Sequence, residues 1–188
     1  MKNFGHLASR SGRNSVERLE EKLPGNSFTN TGSTRKANTP MNSDFKELLR
    51  VFSDHEDKYL IVGGYAAIQY SQPRYTKDLD LWIEPSIENA RKIAKAFHVF
   101  GLPIEGFTIE DMADTGFQFF VGCQPCAFDF LTSILGLEFS SAWEKRVVSY
   151  EDGIPVWYVT KEDLIVAKKA VAREQDLKDI AEILRADS

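Results

Sequence analysis

Asp78 and Asp80 stand one residue apart in the run Lys77-Asp78-Leu79-Asp80-Leu81, which alternates polar and apolar side chains. That alternation predicts a strand from Lys77 to Glu84, and in a strand every second side chain shares a face. The two carboxylates then point together while Leu79 and Leu81 point into a core. Like charges held side by side repel, and desolvation sharpens the cost. A divalent cation is the usual relief. Oxygen-only ligands of this kind suit Mg²⁺, which typically binds through one or two carboxylates together with substrate phosphates. A solvated acidic strand face is the plainer reading of an isolated Asp-x-Asp.

The surroundings favour the first reading. Tyr59-Leu60-Ile61-Val62 reads as a short buried strand running into Gly63-Gly64 and then a helix with Ala66, Ala67 and Ile68. A strand–glycine–helix junction lets backbone N–H groups approach a phosphate at the positive end of a helix. Downstream, Phe128-Asp129-Phe130 puts a lone carboxylate in an aromatic strand, on the face opposite both rings. Such a carboxylate needs a partner. A shared metal or a structural hydrogen bond would each provide one.

The elements that must hold these groups follow from periodicity. Phe45, Leu48, Leu49 and Phe52 fall at helical spacing behind a cap at Ser43. Pro85-Ser86 opens an amphipathic helix over about 87–100. Strands are expected over 117–121 and 127–131 around a Gly122–Pro125 turn, and a hairpin over 147–150 and 156–159 turning at Asp152-Gly153. Two helices over about 161–172 and 174–185 close the chain, the first capped by Thr160 with Asp163. The fold class is therefore α/β (α+β): a small mixed sheet flanked by helices, with a C-terminal helix pair.

Gly-Gly, thirteen intervening residues, Asp-Leu-Asp in a strand and a later strand Asp resemble the nucleotidyltransferase superfamily related to DNA polymerase beta. The pattern is most similar to its minimal prokaryotic branch of abortive-infection and toxin–antitoxin components. The resemblance spans about residues 43–185. It implies that Asp78, Asp80 and Asp129 are catalytic and bind two Mg²⁺ ions, or Mn²⁺ in their place, while Gly63 and Gly64 hold nucleotide phosphates. The implied activity is transfer of a nucleoside monophosphate from an NTP, ATP included, to a hydroxyl on a tRNA-like RNA 3′ end or a protein side chain. A small antitoxin is an implied partner. Many superfamily members carry Ser after the first glycine. Here Gly64 takes that position, so backbone amides alone would serve the phosphate. A non-catalytic nucleotide-binding module that retains the fold is the alternative.

The C-terminal helices add to this. Lys168 falls on the apolar stripe with Leu164 and Val171, where a lysine either snorkels to water or meets a buried anion. Arg173, Asp176 and Asp179 follow as Arg-x-x-Asp-x-x-Asp. By the resemblance Lys168 binds phosphate, supported by Arg173 and Asp176; an ordinary salt-bridge set would explain the same spacing. Arg74 and Lys77, just before the acidic strand, could steer phosphate or, with Lys145 and Arg146, RNA. Cys123-Gln124-Pro125-Cys126 has metal-knuckle spacing, but His6, His55 and His98 offer no convincing further ligands, and a thiol pair at a strand turn is preferred.

Composition bounds the rest. The 188 residues carry a formal net charge of −5, against a general DNA-coating role. Residues 1–40 hold seven Lys/Arg against three Asp/Glu, are rich in Ser, Asn, Gly and Thr, and read as a disordered basic extension ahead of a domain over 41–188. No apolar stretch approaches the ~20 residues of a membrane span. With two cysteines and no apolar leader, a cytoplasmic setting is the expectation.

Overall fold

The computed structural model describes residues 6–10 through their backbone, and residues 41–102, 104–123 and 126–186. The chain forms β1 (His6–Arg10), α1 (Ser43–Asp54), β2 (Tyr59–Ile61), α2 (Gly63–Tyr70), β3 (Asp78–Ile83), α3 (Ile87–Phe100) and α4 (Ile109–Ala113). It continues with β4 (Phe117–Cys123), β5 (Cys126–Leu131), α5 (Phe139–Lys145), β6 (Val147–Glu151), β7 (Ile154–Tyr158), α6 (Lys161–Val171) and α7 (Glu174–Arg185). Of the extension expected over 1–40, only β1 lies among the described residues, as an outer strand antiparallel to β4.

One mixed seven-stranded sheet runs β1-β4-β5-β3-β2-β7-β6. The central pair β3 and β5 is parallel, as is β2 with β7, and the other neighbours are antiparallel. Alternation in β3 does what its sequence requires: Leu79 and Leu81 are fully buried while Asp78 and Asp80 turn the other way. Phe128 and Phe130 of β5 and Phe119 of β4 extend the apolar face. Phe119 stacks on Phe130 at 4.7 Å, Phe97 of α3 meets Phe130 at 5.0 Å, and Phe45 of α1 meets Phe128 at 5.1 Å. α1 and α3 thus seal the face away from the acids, through the residues their helical spacing selects.

Three local details differ from the sequence expectation. Asn42, not Ser43, caps α1, its side chain accepting the Asp44 N–H at 2.9 Å. β7 starts at Ile154 and so includes Pro155, a residue that argues against a strand interior. α4 and α5 were not anticipated. At five and seven residues they are too short for a periodic signal, although Thr108 and Asp111 form a full capping box on α4. The Asp152-Gly153 turn is as expected, with both residues at positive φ (52° and 84°), as the tight two-residue hairpin demands. Cys123 and Cys126 face each other across the β4–β5 turn, whose residues 124 and 125, like the two cysteine side chains, lie outside the described residues.

Candidate active site

The parallel pairing of β3 with β5 sets Asp80 directly opposite Asp129, with Asp78 two residues back on the same face. The three acids expected to act together are therefore brought together. Asp80 bears the strongest consequences. Burial, then the neighbouring charges of Asp129 and Asp78, push its carboxyl up to about 7, against the pull of the Gly64 N–H and Lys168. Asp129 is also raised, chiefly by burial and further by Asp78.

A single amide opposes that shift in Asp129. Gln118 Nε2 donates to both carboxylate oxygens at 2.9 Å, forking across them from β4. In sequence Gln118 is merely the outward residue between Phe117 and Phe119. Its role depends on the antiparallel register that sets Phe120 against Asp129 and leaves Gln118 on the diagonal.

The glycine turn is built around Asp80. Gly63 has φ +58°, and a Cβ there would overlap the Asp80 carboxylate. Gly64 donates its N–H to Asp80 Oδ2 at 3.2 Å, and Val62 N–H bonds the Asp80 carbonyl at 3.1 Å. The pair of glycines thus lets α2 begin against the central acid. Val62, the residue preceding the helix, supplies no side-chain cap.

Lys168 is buried, and its ammonium lies 2.6 Å from Asp179 Oδ2 and 3.2 Å from Asp176 Oδ1. Arg74 reaches the same Asp179 oxygen at 2.9 Å, and Gln175 takes the other at 2.9 Å. Asp176 also accepts the N–H of Arg173 at 3.2 Å and its Nε at 2.7 Å, closing the first turn of α7. Ala172, in the left-handed region at φ 55°, turns α6 into α7 so that these groups converge. Burial alone would raise both carboxyls. The hydrogen bonds from Arg173 and Lys168 to Asp176, and from Lys168 and Gln175 to Asp179, outweigh it and hold both low. Asp179 and Gln175 are thus members that the sequence reading left without a role. Lys77 is exposed at the start of β3. Arg146 lies over Trp143 and Trp157, 4.0 and 5.0 Å from their ring centres, and donates to the Trp143 carbonyl at 2.7 Å.

The chemistry of the donor set suits a hard cation. Among the described residues no three His, Cys, Asp or Glu side chains are placed so that they could hold a metal ion by themselves. Mg²⁺ does not require one, because it keeps waters and shares substrate phosphates. Three mutually repelling carboxylates on one open sheet face, two of them with raised pKa, fit such an ion. Asp78 and Asp80 would hold it beside Asp129.

Residues 43–186 match the family model described as nucleotidyltransferase of unknown function (DUF6036). The chain belongs to this nucleotidyltransferase family. Its fold is shared by solved structures of low sequence identity. The solution structure of the antibiotic-resistance factor ANT(2'')-Ia is 15% identical with a TM-score of 0.53, covering 78% of this chain and 83% of that one. The crystal structure of the lincosamide antibiotic adenylyltransferase LnuA, lincomycin-bound, is 13% identical with a TM-score of 0.52, covering 78% and 98%. ANT(2'')-Ia in complex with adenylyl-2''-tobramycin is similar at 15% identity and a TM-score of 0.50, covering 77% and 87%. No curated protein sequence matches the nucleotidyltransferase. None of its described helices is long and apolar enough to cross a membrane.

Proposed function

We propose that this nucleotidyltransferase moves a nucleoside monophosphate from an NTP to a hydroxyl acceptor in a Mg²⁺-dependent reaction. The observation that carries the reading is the register that sets Asp80 against Asp129, with Asp78 on the same face. Asp78 and Asp80 would hold the metal, and the chemistry it would supply is neutralisation of charge on the transferring phosphoryl group and its leaving group. The acceptor oxygen bonds to the α-phosphorus, the bond to the bridging oxygen breaks, and pyrophosphate leaves. Asp129 takes the hydroxyl proton. Its raised pKa makes it a stronger base than an ordinary carboxylate, and the Gln118 amide fixes its orientation. The glycine turn and the start of α2 receive the triphosphate, with Lys168, Arg74 and Arg173 supplying positive charge behind it.

Similarity to adenylyltransferases makes ATP the first donor to try, and those neighbours were solved with lincomycin and with adenylyl-2''-tobramycin. Of the basic residues that could have received RNA, Arg74 is tied to Asp179 and Arg146 is laid over two tryptophans. Lys77 and Lys145 are exposed, a small basic surface for an RNA backbone, so a small hydroxyl-bearing acceptor is the first to test. A protein hydroxyl and a toxin–antitoxin pairing are assay outcomes.

The test incubates the protein with each α-labelled NTP, Mg²⁺ and pools of small molecules, total RNA and cell protein. Label should move to one pool and pyrophosphate should be released, with both signals falling at least ~10³-fold in Asp80→Asn. NTP binding without pyrophosphate release in the wild type would instead identify a non-catalytic module.

A further inference from the structure

The space in which a Gly64 side chain would stand is already taken. A Cβ built there would overlap the Thr76 hydroxyl, with Thr76 Cβ at 3.0 Å and Arg74 Nη2 at 3.5 Å. The hydroxyl therefore lies at the first turn of α2, delivered from a different part of the chain. Thr76 stands two residues before Asp78 and four before Asp80, so an extended backbone brings it to the side of the chain that those acids occupy. It is half-buried, neither sealed in the core nor fully solvated.

The Thr76 hydroxyl borders the Gly64 backbone, whose N–H is given to Asp80 Oδ2 at 3.2 Å. The Arg74 guanidinium borders the same space at Gly64, and the N-terminus of α2 opens there with no capping side chain from Val62. A hydroxyl at the uncapped positive end of a helix is suited to an incoming anion, to which it can donate its own proton. The arrangement also explains why residue 64 is glycine: the Cβ of any side chain there would claim the place of the Thr76 hydroxyl.

We propose that Thr76 is a substrate-contacting residue whose hydroxyl donates a hydrogen bond to the triphosphate of the nucleotide at the glycine turn. The inference rests on the nucleotidyl-transfer reading and deepens it. Phosphate recognition at this turn is then not left to backbone amides, because the side-chain hydroxyl arrives from residue 76.

Equilibrium binding of each of the four ribonucleoside triphosphates with Mg²⁺, measured by calorimetry, tests this. Thr76→Val keeps the shape and removes the hydroxyl; Thr76→Ser keeps the hydroxyl. Thr76→Val should weaken triphosphate binding about 10- to 100-fold, the loss of one hydrogen bond to a charged group. Thr76→Ser should stay within about threefold, and both variants should unfold within a few degrees of the wild type. A second variant guards against local disturbance. Thr76→Gly with Gly64→Ser moves the hydroxyl across the gap and should bind at least ~5-fold more tightly than Thr76→Gly alone. If the wild type binds a triphosphate and Thr76→Val binds it equally well, Thr76 has no such role and the transfer reading stands. If the wild type binds none of the four, both readings fall together.

Discussion

Among the described residues one side-chain amide reaches Asp129, and that makes Gln118 separable from the rest of the site. Both hydrogen bonds come from one Nε2 at 2.9 Å, and Gln118 itself is exposed. Gln118→Ala removes no core packing. It frees Asp129 to rotate and withdraws the contact that favours its charged form. We expect kcat to fall about tenfold, the value of one charge-assisted hydrogen bond, with nucleotide KM within about twofold. Steady-state kinetics at saturating acceptor check this. An equal loss in KM would mean that Gln118 supports nucleotide binding rather than the base. Gln118 also marks where sequence reasoning stops. Asp78 and Asp80 declare themselves by alternation within one strand, whereas Gln118 acquires its role from the pairing of β4 with β5, which no local pattern encodes.

At the scale of elements, the C-terminal pair is held by a polar cluster rather than by a wide apolar seam. Lys168 is buried between Asp176 and Asp179, and Arg74 brings the segment before β3 to the same point. Removing one partner of a buried ion cluster leaves the others uncompensated, at a cost of ~3–5 kcal/mol. Lys168→Met should lower unfolding stability by about that much in urea titrations. Adding Asp176→Asn and Asp179→Asn should recover at least about half, since the stranded charges are then gone. A loss confined to nucleotide affinity, with stability unchanged, would show that the cluster holds ligand and not structure. These helices were legible from sequence because their apolar spacing is regular and Thr160 caps the first. Which of two meanings Lys168 carries was not legible, because snorkelling and ion pairing share one helical position. The left-handed Ala172 decides the matter by folding α7 back, and an alanine gives no warning of that conformation.

Across the whole molecule the sheet divides labour: one face is sealed by α1 and α3, the other carries the acids. At the end of the sheet away from the glycine turn, Asp57 lies between α1 and β2, buried to 3% exposure with neither carboxylate oxygen hydrogen-bonded among the described residues. Burial pushes its carboxyl up to about 7, against the pull of Lys92. The folded state therefore binds this proton more tightly than the unfolded chain. Stability from the protonated form is fully present below the ordinary carboxylate range and is lost as pH rises towards about 7. Asp57→Asn stays neutral throughout, so the Tm of the variant relative to wild type should climb by a few degrees between pH 5 and pH 8, at ~2–4 °C per kcal/mol. Differential scanning calorimetry at the two pH values measures it, and a flat difference would remove Asp57 from the account. The mixed α/β class and most of the core were readable from hydrophobic period alone. Strand order was not, because the sheet places β5 beside β3 and β7 beside β2, and long-range pairing leaves little trace in a single sequence.

The cluster around Lys168 also has a consequence for the order of biosynthesis. A nascent chain acquires the glycine turn, Asp78, Asp80 and Asp129 first, and all three acids can fold into the sheet while later residues are still being added. The carboxylates that anchor Lys168 and Arg74 come from α7, which is made after both of them. Until α7 docks, those two cations lack their counter-charges and α6 has nothing to turn back against. Synthesis therefore lays down the acids of the sheet before the carboxylates that clamp Lys168 and Arg74 behind them, so the cradle closes only once α7 has been made.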